Sequence, residues 1–531
     1  MTVKIPKIDE IPVEEQTSWV LTLLECINAL AEENQALRDE IARLKGEKPR
    51  PKIKPSSLEE NHKKPESSEK RPGSAKRHKT QSLEIHEIVK VAPENLPSGS
   101  TFKGYKDFVV QGLEMKPHNI RYRLERWETP DGRTLTGKLP AELNGSHFDV
   151  YLKRFILYQY YHGHVTQPIL LEQLHDIGFD ISSGQLSNII IENHDAFHDE
   201  KDAILDIGLS VSTHINVDDT TARHEGQNGY CTHIGNEFFA TFHSTDSKSR
   251  INFLKLLQAG RTDYIINASA LSYMISQGMI SQGLPQDSLT LVTSKLLTVC
   301  EDDIAWDEFV KLLGIEKPLH IKIITEGALV GSLIEHGFNT DMVIVSDDAG
   351  QFNVLIHALC WIHAERFINK LIGLTDKQKE AVKSIRSDIW DLYASLKNFK
   401  EQPDDQKKAD IEAKFDKIFT QKTCFASLNN ALKRIYRNKP ELLRVLDFPH
   451  IPLHNNTSEN DIRDYVKRRK VSGSTRNDLG RRCRDTFTSL KKTCRKLNVS
   501  FWDYLEDRLS GLNEIPYLSD LIINKALNLS V

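Results

Sequence analysis

Residues 210–220 read SVSTHINVDDT, a run in which apolar side chains alternate before two aspartates and a threonine. Alternation with a period of two is typical of a β-strand with one buried face, so the sequence predicts a strand over 210–217. Two further strand-like runs follow at 229–235 and 237–243, and the next pattern indicates a helix from about 248 to 257.

A buried strand is then predicted over 342–345, and it leads into Ser346, Asp347 and Asp348. The order β-β-β-α-β is the start of a ribonuclease-H-like mixed sheet, in which the first and fourth strands are neighbours. A lone acid after a strand is usually a turn or cap residue. Here two separate strands end in paired acids, so we expect Asp218 and Asp347 to face each other in an α/β fold.

A third acid lies in the segment HNNTSEN at 454–460, where an asparagine cap is predicted to start a helix with Glu459 in its first turn. The alternative is a capping box in which Glu459 pairs with Asn456. Three carboxylates that converge from distant positions suit two-metal phosphoryl chemistry, because Mg²⁺ prefers hard oxygen ligands. The trio predicts a nucleic-acid-cutting enzyme.

Five strings carry a family resemblance. They are DDT (218–220), SDDAGQF (346–352), CWIHAERF (360–367), HNNTSENDIR (454–463) and KRRKVSGSTR (467–476). Together with the N-terminal features described below, they resemble the transposases of the insertion-sequence-66 family over most of the chain. The last two strings are specific, whereas DDT alone would be weak.

The resemblance implies a DDE transposase that acts on the ends of its own mobile element with two Mg²⁺ ions, for which Mn²⁺ can substitute. By position, it makes Asp218, Asp347 and Glu459 the catalytic, metal-binding residues, with Asp219 and Asp348 as alternates. The family commonly has a cysteine-rich zinc module after its N-terminal coiled coil. No cysteine lies between residues 84 and 140, so zinc is not expected.

Basic residues follow the third acid, since residues 459–496 contain 13 Lys or Arg against 5 Asp or Glu. Arg463 lies four residues after Glu459, where it could orient the carboxylate, contact the scissile phosphate or form a plain salt bridge. The candidate DNA-backbone contacts are Arg463, Lys467, Arg468, Arg469, Lys470 and Arg476. Cys360 and His363 share one helix face, and we favour a packed cysteine and a hydrogen-bonded histidine near the active site over half a metal site.

The N-terminal 47 residues contain a heptad repeat. Val20, Ile27, Asn34 and Ile41 occupy position a, and Leu23, Leu30, Leu37 and Leu44 occupy position d. This pattern predicts a parallel two-stranded coiled coil over 1–47, with a single amphipathic helix as the alternative. The basic, Lys-, Pro-, Ser- and Glu-rich residues 48–82 are predicted to be a flexible linker.

A small β unit is predicted over 83–145, from the alternating run at 85–91 and from a hairpin between 119–127 and 133–138. Residues 146–205 are predicted to be a helical domain that resembles a helix-turn-helix and binds DNA. Its first helix spans 168–174, a turn lies at Gly178, Phe179 and Asp180, and Ser182 and Ser183 open a second helix that ends at Ile191. An ordinary helix pair is the alternative.

The catalytic domain is predicted over 206–500, with helical insertions at about 259–338 and 368–450, and 501–531 form a helical tail. The net charge is −4, and seven scattered cysteines favour a reducing compartment. No apolar signal core or run of 18 apolar residues is present, so we expect a soluble bacterial cytoplasmic protein associated with the nucleoid and no membrane partner.

The expected partners are transposon-end DNA, target DNA and further copies of this chain, paired as a homodimer or higher oligomer through the coiled coil. Accessory proteins of the same element are an open alternative. Two other functions compete with transposition: a non-catalytic DNA-binding regulator, and another ribonuclease-H-like nuclease.

Overall fold

The structure is a computed structural model that describes residues 84–140, 146–277, 292–295 and 297–528, together with Val20 and Ile27. The predicted coiled coil and basic linker otherwise lie outside the described residues. The chain divides into two units, Met1–Met115 and Lys116–Val531. Residues 84–115 of the first unit contain no helix or strand, so the strand predicted over 85–91 is absent.

The second unit begins with the predicted hairpin, which is shorter than expected. Strand β1 (Arg126–Glu128) pairs antiparallel with β2 (Thr134–Thr136). The turn between them contains Gly132 with a φ of +80°, a conformation that glycine adopts without strain.

A five-stranded mixed sheet organises the rest of the unit. Its strands are β3 (His214–Thr221), β4 (Tyr230–Gly235), β5 (Ala240–Thr245), β8 (Val343–Ser346) and β9 (Ile356–Leu359), and a separate antiparallel pair consists of β6 (Tyr264–Ile266) and β7 (Thr298–Cys300). The strand order in the large sheet is β5-β4-β3-β8-β9. Strand β4 is antiparallel to both of its neighbours, whereas β3, β8 and β9 are parallel. The α/β class and the adjacency of β3 and β8 agree with the prediction.

The first predicted strand is displaced along the chain. Residues 210 and 211 belong to the preceding helix, and β3 continues through Asp218 and Asp219 to Thr221. The reason is a difference in partners: β3 pairs with β8 only as far as Asn216, but pairs with β4 along its whole second half. The first two acids of the sequence motif are therefore inside a strand and not after it.

The helices of the second unit are given in chain order. They are α1 (Val150–Leu157), α2 (Gln167–Ile177), α3 (Ser183–Ile191), α4 (Asp195–Val211), α5 (Arg250–Leu257), α6 (Ala268–Ser276), α7 (Asp303–Leu312), α8 (Pro318–Glu335), α9 (Trp361–Asn369), α10 (Asp376–Glu401), α11 (Asp405–Thr420), α12 (Ala426–Arg437), α13 (Lys439–Leu442), α14 (Asn456–Ser472), α15 (Asp478–Lys496), α16 (Phe501–Ser510) and α17 (Leu518–Leu527). None of the helices in the described residues is long and apolar enough to cross a membrane.

Alternate residues of the central strands contribute to different cores. Ile344 packs in a core with helices from α1 to α8 and from α15 to α17, while Val343 and Val345 pack in a second core with α9 to α13. This follows from the two-residue period of a strand. The insertion at 368–450 is helical as predicted, and it covers one face of the sheet. The insertion at 259–338 also contains the short pair β6 and β7.

The predicted helix pair is present as α2 and α3. Helix α2 ends at Gly178, whose φ of +103° is the left-handed conformation of a helix C-cap. Ser182 caps α3 and forms a capping box with Gln185. The glycine turn and the serine cap that were predicted from the sequence therefore end α2 and start α3.

Candidate active site

Asp218 lies in strand β3, and Asp347 directly follows the end of the neighbouring parallel strand β8. Asn216 pairs with Val345, so each acid comes two residues after that pair, on the same face of its strand. The Asp218 Oδ1 accepts a hydrogen bond from the Asp219 backbone N–H, and the Asp347 Oδ1 accepts one from Ala349. The structure thus brings the first two predicted acids together.

The electrostatics of Asp218 reflect this crowding. The pKa of Asp218 is raised to about 7, first by burial and then by the negative charges of Asp347, Asp219 and Glu459, while the hydrogen bond from the Asp219 N–H lowers it. Carboxylates that share a site cannot all ionise freely, since each negative charge disfavours the next. Asp347 and Glu459 therefore both lie close enough to Asp218 to influence its ionisation.

Glu459 lies in the first turn of α14, which packs on β3 and β4. Its Oε2 is 3.5 Å from Nη2 of Arg463, which is the salt bridge that we considered as an alternative. Its Oε1 is 3.8 Å from Nε2 of His363, and this oxygen is buried without a hydrogen-bond donor in the described part of the chain. The third acid therefore has one oxygen that lacks a polar partner.

The capping-box alternative for Glu459 is wrong. Helix α14 has Asn455, and not Asn456, as its N-cap, and the Asn455 side chain makes no capping hydrogen bond. The Asn455 side-chain amide bonds to strand β3 instead. Glu459 therefore has no capping partner, and a capping box does not explain why a glutamate stands at this position.

Asn455 joins the helix of the third acid to the strand of the first. Its Nδ2 donates to the carbonyl of Val217, the residue before Asp218, at 2.8 Å. Its Oδ1 accepts from Nδ2 of Asn216 at 2.9 Å. Asn455 is fully buried, so these bonds are shielded from water. The position of Glu459 relative to Asp218 is thus fixed by one side chain.

The same residue connects to the second acid through Cys360. The Asn455 N–H donates to Cys360 Sγ at 3.2 Å, and the Cys360 N–H donates to the carbonyl of Ser346, the residue before Asp347, at 2.9 Å. Burial raises the pKa of the Cys360 thiol. Cys360 is therefore the packed cysteine that the sequence favoured, and it links β8 to the start of α14.

His233 supports α14 from the side of β4. It is the Cα partner of Asp218 in the ladder, and its Nδ1 lies 2.6 Å from Oγ of Ser458. Its Nε2 is 3.3 Å from Asp461, which also contacts Lys496 at 2.8 Å and Lys492 at 3.7 Å. Burial lowers the pKa of His233, although the contact with Asp461 opposes this change. This buried polar network holds the back of the helix that bears Glu459.

The two alternate acids have other partners. Asp219 accepts from Oγ1 of Thr232 at 2.6 Å and from Nε2 of Gln351 at 2.7 Å, and burial raises its pKa. Asp348 is paired with Arg434 of α12 at 2.6 Å. Asp348 therefore faces the helical insertion, whereas Asp219 stays beside the trio with its oxygens occupied.

The predicted DNA-contact residues do not form one surface. Lys467, Lys470 and Arg476 are exposed, and so is Arg463. Arg468 is buried, with only 3% of its surface exposed, so it is not part of an exposed basic surface. Arg469 donates to the hydroxyls of Thr220 and Thr221 at the end of β3. The helical period separates these side chains, because consecutive residues lie on different sides of α14.

The candidate site meets part of what a Mg²⁺ ion requires. The raised pKa of Asp218 and the unpartnered Oε1 of Glu459 both indicate a site that a cation would stabilise. Among the described residues, however, no group of three or more His, Cys, Asp and Glu side chains is arranged closely enough to hold a metal ion. The acids fit in charge and oxygen chemistry, while a closed ligand shell is not preformed.

Sequence reasoning missed the residues that position the acids: Asn216, His233, Gln351 and Ser458, together with the bridging role of Asn455. A signal was available for Asn216, since an amide in the middle of an apolar strand requires a buried partner. That partner is 239 residues away along the chain, so its identity could not be deduced from a local pattern.

A family model and a curated relative both match this chain. A model described as "Transposase IS66 family" matches residues 330–482, which include Asp347, Glu459 and the basic segment but not Asp218. The uncharacterized protein y4jO of Sinorhizobium fredii (strain NBRC 101917 / NGR234) is 41% identical over 327 residues, which are 61% of this chain and the whole of that relative. The chain therefore belongs to the IS66 family of transposases.

Proposed function

We propose that this protein is a DDE transposase with a ribonuclease-H-like core, which cleaves DNA at the ends of its insertion sequence and transfers the freed strand to a target. Family membership supports a role in transposition. The strand order, with one antiparallel hairpin pair beside three parallel strands, supports the core assignment. The observation that carries the catalytic proposal is the raised pKa of Asp218, to which burial and the charges of Asp347 and Glu459 contribute.

Asp218, Asp347 and Glu459 would hold two Mg²⁺ ions, and Mn²⁺ would substitute for them. When bound, such ions activate a water or a 3′-hydroxyl for attack on the phosphodiester and stabilise the leaving oxygen. Asn455 and Cys360 keep the elements of the three acids in register. Arg463, which is exposed beside Glu459, has donors that can orient the carboxylate or meet a phosphate oxygen. No covalent enzyme intermediate is required.

The proposed partners are transposon-end DNA and target DNA. Synapsis of two ends requires more than one copy of the protein, and the heptad repeat over 1–47 is the proposed means of pairing. Exposed Lys467, Lys470 and Arg476 are the proposed backbone contacts of α14 and the loop that follows it.

The test is divalent-metal-dependent cleavage of labelled DNA that carries the sequences flanking the gene, with the wild type and Glu459→Gln compared. The amide keeps the size of the side chain and removes its charge. Cutting at a defined end by the wild type alone supports the proposal. Binding of that DNA without any cutting, in either metal, would favour the non-catalytic regulator instead, and cutting of unrelated structured DNA or RNA would favour another nuclease.

A further inference from the structure

A cleft of about 620 Å³ lies between the α2–α3 helix pair and the segment that joins α14 to α15. Its lining includes Tyr160, Ser183 and Ser187, together with Arg468, Arg476 and Arg484. None of the described residues that line the cleft is acidic. The cleft is therefore positively charged.

Two of its arginines are buried without a carboxylate at ion-pair distance among the described residues. Among the described residues, four lysines and arginines are buried: Arg468, Arg484, Lys491 and Lys492. Lys491 and Lys492 lie within 4 Å of Asp464 or Asp461. Arg468 and Arg484 make no ion pair with a carboxylate in the described part of the chain, and a buried cation without one is unfavourable.

Arg468 also has an unused donor. Its Nη1 donates to the carbonyl of Tyr160 at 2.6 Å, and its guanidinium stacks 3.8 Å from the centre of the Tyr160 ring. Its Nη2 is buried with no hydrogen-bond partner among the described residues. Burial lowers the pKa of Arg468, and the nearby charge of Arg484 acts in the same direction. An anion in the cleft would satisfy both the donor and the charge.

The N-terminus of helix α3 favours the same ligand. Helix α3 is nine residues long and begins at Ser183, which lines the cleft, so the partial positive charge of its N-terminus lies beside the cleft, although the Gln185 N–H is already bonded to Ser182 Oγ. Arg484 is held by the carbonyl of Gly473 and by Oγ of Ser472, which fixes its position. Arg476 is exposed at the rim and makes no ion pair among the described residues.

We propose that this cleft binds a phosphate of the DNA backbone, with Arg468, Arg484 and Arg476 as its donors. The inference rests on the proposed function in that it takes DNA as the substrate. Arg468 follows Glu459 by nine residues of α14, about 14 Å along the helix axis. That length corresponds to about four base pairs of duplex, so the cleft would hold the strand that flanks the scissile phosphate.

The test measures DNA affinity by fluorescence anisotropy in EDTA, with a labelled duplex carrying the element's end, as a function of salt. Arg476→Gln and Arg468→Met are compared with Lys311→Gln, an exposed control on α7. Each cleft variant should lower the slope of log K against log salt by about one, and the control should not change it. Unchanged slopes in Arg476→Gln and in folded Arg468→Met would overturn the proposal.

Inorganic phosphate provides a second readout. It should raise the Tm of the wild type relative to chloride at equal ionic strength, and this rise should vanish in Arg468→Met. If Arg468 were only a structural clamp, the variant would lose stability in both buffers and keep the phosphate effect, which would contradict the proposal. If phosphate raises the Tm but the salt dependence of DNA affinity is unchanged in the cleft variants, the cleft does not bind the DNA backbone, and that part of the proposal would be overturned. Both readouts are taken without a metal ion, so they do not depend on cleavage. Whether Glu459→Gln loses cleavage does not affect them, and the two proposals are therefore tested separately.

Discussion

At the scale of single residues, the acids depend on an amide. Asn455 makes hydrogen bonds to β3 through both polar atoms of its side chain and to Cys360 through its backbone, so it contacts the chain next to Asp218 directly and the chain next to Asp347 through Cys360. The acids themselves were predicted from the sequence, because each follows or opens a recognisable pattern. Their common anchor was not, because hydrogen bonds between distant segments leave no local periodicity.

Asn455→Ala should lower the free energy of unfolding by about 2 to 4 kcal/mol, because it leaves the Asn216 amide and the Val217 carbonyl buried without partners. Urea denaturation measures this loss. The matched control is Asn456→Ala, since Asn456 is the exposed neighbour at the start of the same helix. Equal and small losses in both variants would contradict the anchoring role.

The titration of Asp218 predicts a pH dependence for the metal-free protein. Its folded pKa of about 7 is above its ordinary value of 3.8, so between these pH values the folded state holds a proton that the unfolded state has lost. Stability therefore falls as pH rises through this window. From about pH 5 to about pH 7, the wild type should lose about 2 to 3 kcal/mol more than Asp218→Asn.

This difference can be measured by thermal or urea unfolding in EDTA. Asp348→Asn is a suitable control, because that carboxylate is exposed and paired with Arg434. A pH profile of Asp218→Asn that is parallel to the wild type would show that Asp218 ionises normally.

At the scale of elements, local sequence signals were reliable where the chain itself supplies the partner. The boundary between α2 and α3 follows from Gly178 and from the Ser182 capping box. Strand β3 was displaced because its end is set by pairing with β4, which is a contact between elements. Residues 467–470 were predicted to form one charged surface. On a helix, however, consecutive side chains point in different directions, so some of them face solvent and others face the interior.

Two glycine substitutions test the boundary between these helices. Gly178→Ala should destabilise the protein by about 1 to 2 kcal/mol, because an alanine at a φ of +103° is strained. Gly184→Ala, inside α3, where a Cβ would meet only the Ser182 Oγ at 3.9 Å, should stabilise by up to about 1 kcal/mol. Chemical denaturation of the two variants measures their free energies of unfolding. Changes of the same sign would contradict the role given to Gly178 in the turn.

At the scale of the whole molecule, the insertion at 368–450 is part of the folded unit. Its helices share one core with Val343 and Val345 of β8, so the strand that leads to Asp347 is packed by residues inserted far along the chain. The sequence predicted helices here but gave no reason to expect that they would cover the sheet. Amphipathic periodicity shows that a helix has a partner and does not show which one.

Phe415→Ala in α11 should destabilise the unit by about 3 to 5 kcal/mol, because the ring is fully buried and lies near Trp361 and Phe419. We expect the sheet and the insertion to unfold together. Hydrogen exchange of β8 and of α11 tests this expectation, and melting of α11 alone with β8 unchanged would show that the insertion is an independent domain.

The most direct test of the central claim compares two adjacent acids in the cleavage assay on element-end DNA. Asp347→Asn removes a charge from the interacting trio, whereas Asp348→Asn removes one that pairs with Arg434 on the insertion. We expect Asp347→Asn to lose metal-dependent cleavage while it still binds DNA. We expect Asp348→Asn to keep metal-dependent cleavage. Cleavage that persists in Asp347→Asn and is lost in Asp348→Asn would contradict the assignment of the active site.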